Sequence, residues 1–252
     1  MNRILDLLKD LIKAGMRHTP YRITRNWGAN RFQAIEEALI ALRKRGFEPR
    51  VIIDGGANDG SFARKLSKIF KTAQFELFEP QPACHDALSD LAQLPRFNFH
   101  PVALGAATGS LSLRIDPGRI TGGAHVTTCQ PGNSDSSVIT IPVCSLDSMF
   151  GDRIRKEDRT LMKLDLQGWE LEALKGAERA LEKVEVVLTE VSFFAQAYEP
   201  PIEKLVRFLD EKGFSLYDIA AIAARRRDNR PHQGDFIFVS RDSSLMLDTR
   251  WG

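Results

Sequence analysis

Four acidic residues of this chain each stand at the end of an apolar run: Asp54 after VII, Glu79 after FELF, Asp165 after LMKL and Glu190 after VVLT. Runs of this kind read as buried parallel strands, and ligands of such sheets bind beyond the carboxyl ends of the strands. The four carboxylates should therefore ring one crevice, where they can orient a hydroxyl or take up a proton. Asp54 is followed at once by Gly55, Gly56, Ala57, Asn58 and, after Asp59, Gly60. Glycines there let a ligand approach the main chain, and the next helix turns its free amide groups and positive dipole end toward the turn. A nucleotide-like ligand suits such a turn. Glu79 lies about twenty residues further on, at the tip of the second strand, where one carboxylate can accept from both hydroxyls of a ribose. The plainer role for it is an acid at the start of the next helix, which Pro80 and Pro82 open.

Two nucleotide fingerprints do not fit. Hydride-transfer enzymes carry G-x-G-x-x-G, whereas the glycines here stand at 55, 56 and 60. A phosphate loop needs Lys directly after its last glycine, and Ser61 and Phe62 follow Gly60 instead. The pattern D-x-G-A-N-x-G does fit, as Asp54, Gly56, Ala57, Asn58 and Gly60. It resembles the first motif of S-adenosylmethionine-dependent methyltransferases. A tight strand-to-helix turn that holds no ligand is the bland alternative.

With 252 residues, 43% hydrophobic and 27% charged, the chain has an ordinary globular composition. It is long enough for one large α/β domain, or one domain with a small appendage. A net charge of +2 argues against an obligate nucleic-acid binder, whose footprint would be strongly basic. Cys84, Cys129 and Cys144 lack the paired spacing of a zinc site and are too few for a disulfide framework, which points to a reducing, cytoplasmic setting. No apolar run approaches the roughly 20 residues of a membrane span. Near the amino terminus charges interrupt any signal-like stretch; instead Ile4, Leu7, Leu8, Leu11 and Ile12 recur at helical spacing. This helix is expected to dock on its own domain or on the second subunit of a homodimer. Weak membrane-surface contact is the sharper reading, against which the mixed charges of its polar face count.

A second amphipathic helix is expected over 31–45, with Phe32, Ile35, Leu39 and Leu42 on one face and Gly46 as its stop. Residues 1–46 are thus read as an N-terminal helical extension and 47–252 as the sheet domain. Strands are expected at 51–54, 75–78, 97–102, 161–165 and 184–190, with helices at 61–70, 82–91, 169–180 and 202–212. Such alternation specifies a parallel sheet covered on both faces. A final strand pair is expected at 214–219 and 236–239. Between about 108 and 144, LSLRI and VITIPV flank a Gly-, Pro- and Ser-rich stretch, read as an inserted β-hairpin or lid. Ser145 or Asp147 would cap the short helix after it.

LMKLDLQGWELEALKGAE, residues 161–178, resembles the K-x-D-x-x-G-x-E-x-x-x-L-x-G-A signature of FkbM-type methyltransferases, matching at Lys163, Asp165, Gly168, Glu170, Leu174, Gly176 and Ala177. Phe78-Glu79-Pro80, Ala103-Leu104-Gly105, Ser145-Leu146-Asp147 and the closing GDFIFV agree with the family in order. The resemblance implies an α/β, Rossmann-like seven-stranded methyltransferase sheet with its last strand antiparallel, so that 47–252 becomes a methyltransferase domain. It also implies S-adenosyl-L-methionine as cofactor, S-adenosyl-L-homocysteine as product, and O-methyl transfer, in many members to sugars, glycolipids or other secondary metabolites. By their positions, Asp54, Gly56, Ala57, Asn58, Gly60, Glu79, Pro80, Val102, Ala103 and Asp165 are the expected cofactor site. Asp54 would hold the turn or the cofactor's amino group, Asn58 and the Gly56 backbone its carboxylate region, and Val102 and Ala103 its adenine. Two residues depart from the family pattern. Trp169 stands where a smaller residue is frequent, and Gly55 where a branched apolar one is usual.

An alcohol is a poor nucleophile until its proton has somewhere to go. Asp165 is placed to receive that proton or to orient the hydroxyl, with capping of the following helix as its structural alternative; Glu190 carries the same ambiguity. His125, in the lid segment TGGAHVTT, is a third candidate, since a histidine titrates near neutrality; a lone loop histidine is more often merely exposed. No His/Asp cluster is visible at short spacing, and no metal is expected. Arg225, Arg226, Arg227 and Arg230 read as a solvated hairpin, or as a contact for an acceptor phosphate or carboxylate. The absence of N-P-P-[YF] or D-P-P-[YF] counts against methylation of a nucleic-acid base. The expected protein is a methyltransferase acting on a hydroxyl of a small-molecule or glycan acceptor, with no nucleic-acid partner. The alternatives are a cofactor-binding protein that has lost methyl transfer, a methyltransferase with a nucleic-acid or protein acceptor, and an NAD-dependent dehydrogenase.

Overall fold

Short apolar runs punctuated by glycine and proline build the central sheet, and helices with one apolar face cover it. The structure, a computed structural model, describes residues 31–115, 124–127, 137–194, 201–225, 227–228 and 230–248. The amphipathic segment around Ile4 to Ile12 lies outside the described residues. Among those residues no helix is long and apolar enough to cross a membrane.

Helix α1 (Arg31–Lys44) buries Ala34, Ile35, Ala38, Leu39 and Leu42, a stripe at three- and four-residue intervals. The stripe joins the same apolar cluster as Ile52, Phe75 and Ile237 of the sheet. Phe32, expected on this face, is instead 51% exposed. It lies in the first turn, where the helix overhangs the cavity described below rather than the sheet.

The chain then alternates: β1 (Val51–Gly55), α2 (Ser61–Ile69), β2 (Gln74–Phe78), a 3-10 turn at Pro82–Cys84, α3 (His85–Ala92) and β3 (Phe97–His100). The third strand was expected to run to 102. It stops at His100, and Ala103–Leu104 (β4) joins a second sheet. That sheet is completed by β5 (Gly109–Arg114), β6 (His125–Thr127) and β7 (Val138–Cys144), in the order β4-β7-β5-β6. The hairpin expected at 108–144 is present as the antiparallel pair β5 and β7. Ala103, Leu113, Ile141 and Val143 form its small core.

Helix α4 (Leu146–Phe150) is capped by Ser145, whose side chain accepts from the Ser148 amide at 3.2 Å. Asp147 does a different job: its carboxylate accepts from the amides of Arg179 and Ala180, at 3.0 and 2.8 Å. Strand β8 (Thr160–Leu164) is followed by α5 (Glu170–Lys175) and α6 (Glu178–Leu181) where one helix was expected. The break falls at Gly176, pressed so close to Gly105 that an added Cβ would stand 2.0 Å from the Gly105 carbonyl oxygen. Strand β9 (Val184–Ser192), α7 (Ile202–Glu211), β10 (Phe214–Ala224) and β11 (Pro231–Ser240) complete the domain.

The main sheet has seven strands in the order β3-β2-β1-β8-β9-β11-β10. Strands β3, β2, β1, β8 and β9 run parallel, and β11 is antiparallel to both β9 and β10. The chain winds outward from β1 in one direction and from β8 in the other. The crevice therefore opens between the carboxyl ends of β1 and β8, at the topological switch point. The glycine turn and Asp165 meet there, with Glu79 and Glu190; Asp54, expected to ring the crevice with them, is instead buried behind the turn.

Candidate active site

The turn after β1 is held from behind. Asp54 and Lys163 are register partners on adjacent strands, and their side chains pair at 2.8 Å. The same ammonium donates to the carbonyls of Gly55 (3.2 Å) and Gly56 (2.8 Å). Burial pushes the Asp54 carboxyl up, with Lys163 opposing. Burial also works against the charge of Lys163, but Asp54, Asp165 and Glu79 together hold it above its ordinary value. Asp54 is fully buried and is not part of the cavity wall. Of its two expected roles, this placement favours holding the turn.

The turn itself needs unusual backbone. Gly56 has φ 74° and Gly60 φ 76°, and Asn58 adopts φ 51°, a left-handed value that asparagine tolerates better than most residues. At Gly56 there is also no room: an added Cβ would lie 2.0 Å from the Asp165 carbonyl oxygen. At Gly55, the first departure from the family pattern, Leu104 and Leu164 fill the place that a side chain would take, each 2.9 Å from an added Cβ.

A cavity of about 250 Å³ opens above the turn. One part of its wall comprises Gly56, Ala57, Asn58, Glu79, Pro80, Val102 and Ala103, so seven of the expected cofactor residues meet in one place. Glu79 accepts from the Asn58 amide at 2.9 Å and from the Gln81 amide at 3.0 Å, one bond to each carboxylate oxygen. Burial pushes its carboxyl up and these two donors oppose that shift. Each oxygen keeps a further lone-pair direction for a ligand hydroxyl. The wall thus fits an adenosine-bearing cofactor: a carboxylate for the ribose, and a main-chain turn that side chains do not cover. Gly60 stands outside it, its positive φ starting α2.

The rest of the wall carries the groups that could move a proton. Asp165, His125 and Glu190, the three candidates from the sequence, all line it, together with Trp169 and Asp235. His125 enters from β6 of the inserted sheet. Asp165 is the most open of the three carboxylates, its side chain 24% exposed against 9% for Glu190 and 5% for Asp235. The Gln167 side-chain amide donates to Asp165 at 2.9 Å and to Glu190 at 3.3 Å, and Gln233 also donates to Glu190. Burial opposes ionisation of Asp165, but Lys163 and Arg31 hold its carboxyl below the usual range. Burial and the Asp165 charge push the neighbouring Glu190 well up. Glu170, at the start of α5, accepts from the amides of Leu166 (2.7 Å) and Gly168 (3.3 Å), which ties down the loop that carries Asp165.

Four contributors carried no role in the sequence reading. Lys163 and Asp235 are charges inside apolar strands, which is a legible signal, since such residues are seldom buried without a partner. Gln167 adopts φ 54° just after the motif aspartate, and Arg31 reaches the site from a helix far away in sequence; neither leaves a local pattern. The indole nitrogen of Trp169, the second family departure, is buried without a hydrogen-bond partner among the described residues. The residue lines the cavity. Neither Arg225 nor Arg230 lines the wall: both lie over the Phe194 ring, and Arg225 pairs with Asp228. Among the described residues no group of three or more His, Cys, Asp or Glu is arranged to hold a metal ion.

The chain is 24% identical over 179 residues to the hexuronic acid methyltransferase AglP of Haloferax volcanii, covering 69% of this chain and 70% of that protein. It is 27% identical over 215 residues to methyltransferase sdnD of Sordaria araneosa, covering 70% and 82% respectively. Among solved structures, the methyltransferase FkbM of Methylobacillus flagellatus KT matches with 18% identity and a TM-score of 0.46, over 75% of this chain and 43% of that one. Residues 54–216, more than half of the 252, match the methyltransferase FkbM domain, and the chain therefore belongs to the FkbM methyltransferase family.

Proposed function

We propose that this methyltransferase uses S-adenosyl-L-methionine and methylates a hydroxyl of a sugar, glycoconjugate or secondary metabolite. The observation that carries the reading is the position of Asp165, a partly open carboxylate at the end of β8, in the same cavity as the glycine turn and Glu79. Glu79 and the turn would hold the cofactor, and Val102 and Ala103 its adenine. The cofactor, when bound, supplies a methyl carbon on a sulfonium, whose bonding pair stays with sulfur as the acceptor oxygen takes the methyl. Asp165 receives the proton that the hydroxyl gives up. Three carboxylates on the acceptor side favour an acceptor that donates hydrogen bonds, as a polyol does. The inserted sheet and Trp169 would keep competing water out. One relative is a hexuronic acid methyltransferase, in keeping with a glycan or small-molecule acceptor here.

The first test is binding and transfer. S-adenosyl-L-homocysteine should raise the melting temperature and NAD should not. Labelled methyl from the cofactor should then be followed into a panel of methyl glycosides and hydroxylated metabolites. A methyl ether survives alkaline hydrolysis, whereas a methyl ester does not. A base-labile product would replace the hydroxyl acceptor by a carboxylate. Absence of S-adenosyl-L-homocysteine binding would remove the cofactor assignment.

A further inference from the structure

The acidic half of the cavity is organised by a residue upstream of the family match. Arg31, the first residue of α1, sends its guanidinium to three carboxylates from three neighbouring strands: Asp165 just after β8, Glu190 in β9 and its register partner Asp235 in β11. Its Nε and one Nη bond the two oxygens of Asp235, at 2.5 Å each. The other Nη lies 2.8 Å from Glu190 Oε1, and Asp165 Oδ2 is 3.7 Å from the first. A planar fork with five donors can meet three acids at once, which a lysine ammonium on a flexible stem does not do in the same geometry. Arg31 remains a cation here, held well above its ordinary range.

The groups facing Asp165 can be named element by element: Lys163 from β8, Asp54 from β1, Arg31 from α1, Glu190 from β9, Asp235 from β11 and Glu170 from α5. Lys163 is already engaged by Asp54 and two carbonyls. Arg31 is the cation that joins the acceptor-side acids to one another. Glu190 already holds its proton more readily beside the Asp165 charge; without Arg31, Asp165 would lose an adjacent opposite charge and bind its own proton more readily.

We propose that Arg31 is a positioning residue of the methyl-transfer site: by gathering Asp165, Glu190 and Asp235 it keeps Asp165 ionised and aimed at the acceptor. This rests on the O-methyltransferase reading above. Helix α1 is then part of the active site rather than an appendage, and it also lends Phe32 and Ile35 to the cavity wall. The acceptor's proton passes to Asp165, while Arg31 holds its own proton throughout and its charge stays fixed.

The experiment needs no acceptor. Full-length protein labelled with carbon-13 at aspartate and glutamate side-chain carboxyls is titrated by NMR with S-adenosyl-L-homocysteine bound, and the Asp165 signal is assigned by its loss in Asp165→Asn. In Arg31→Met the Asp165 midpoint should rise by about one pH unit or more, the scale of losing one adjacent opposite charge. Arg31→Lys should recover part of that displacement, and S-adenosyl-L-homocysteine affinity should change little in either. If Arg31→Met does not fold, Arg31→Gln, which keeps donors without the charge, takes its place. An Asp165 midpoint that does not move, or a displacement confined to Glu190, overturns the proposal. Failure of the wild-type protein to bind S-adenosyl-L-homocysteine would instead overturn the methyltransferase reading on which it stands.

Discussion

Gly56 and Asp165 touch through their backbones: a Cβ on the glycine would stand 2.0 Å from the aspartate's carbonyl oxygen. The turn after β1 and the loop after β8 are thereby packed against each other, which brings the glycine turn and Asp165 within one cavity. Gly56→Ala should destabilise the protein by about 1–3 kcal/mol, since it combines a left-handed φ with an overpacked backbone contact. Gly55→Ala should be milder, because the atoms in its way are the ends of the Leu104 and Leu164 side chains. Urea unfolding of both variants checks the order. A costlier Gly55 variant would contradict this packing.

Lys163 serves Asp54 and two carbonyls of the turn at once, so the pair should respond asymmetrically. Lys163→Met strands a buried carboxylate and leaves the Gly56 carbonyl without this donor, while the Gly55 carbonyl keeps the Asp165 amide at 3.1 Å; it should lose about 3–5 kcal/mol. Asp54→Asn should lose less, because the ammonium keeps both carbonyls. The double variant should be more stable than Lys163→Met alone, as measured by chemical denaturation.

Glu79 is expected to govern cofactor affinity. Glu79→Ala should weaken S-adenosyl-L-homocysteine binding by about 1.5–3 kcal/mol, the scale of a hydrogen bond to a charged group. Glu79→Gln should be no kinder, because its NH₂ would face either the Asn58 or the Gln81 amide, both donors. Calorimetric titration decides, and undiminished affinity in both variants would remove the ribose assignment.

Glu170 links stability to pH. Burial raises its carboxyl from 4.5 to about 7 in the folded protein, against the pull of the Leu166 and Gly168 amides. The folded state therefore binds the proton more tightly than the unfolded chain does. Its contribution is full below pH 4.5 and fades as pH rises to about 7, by about 3 kcal/mol at most. Glu170→Gln retains an acceptor for both amides but cannot ionise. The stability difference, variant minus wild type, should grow in the variant's favour across that window and level off above it. A difference independent of pH would exclude Glu170 as its source.

Asp165 and His125 line one cavity and compete for the role of base. Asp165→Asn should slow single-turnover methylation by about 100-fold or more, the scale of general base catalysis, with a much smaller effect on cofactor affinity. His125→Ala should be close to wild type. The reverse pattern would move the role to the histidine, and two wild-type-like variants would leave positioning alone to account for the transfer.

The local structure around the glycine turn was legible in the chain. An apolar run ending in an acid, then glycines at fixed spacing, specifies a strand, a tight turn and a helix through interactions only a few residues long. That is why Asp54, Gly56, Asn58 and Glu79 fall where their neighbours predict, and why the family signature from Lys163 to Ala177 could be read. The same locality limits what sequence can say. Phe32 has the angular position of a core residue, yet what covers a helix turn depends on an element elsewhere in the chain. The helix expected over 169–180 breaks because Gly105, some seventy residues earlier, presses on Gly176. The third strand stops at His100 because β4 finds a partner in β7. Most of all, the cluster of Asp165, Glu190 and Asp235 around Arg31 joins residues up to 204 positions apart. No propensity or period encodes that meeting. Only the folded sheet, by setting β8, β9 and β11 side by side beneath the first turn of α1, brings these charges together.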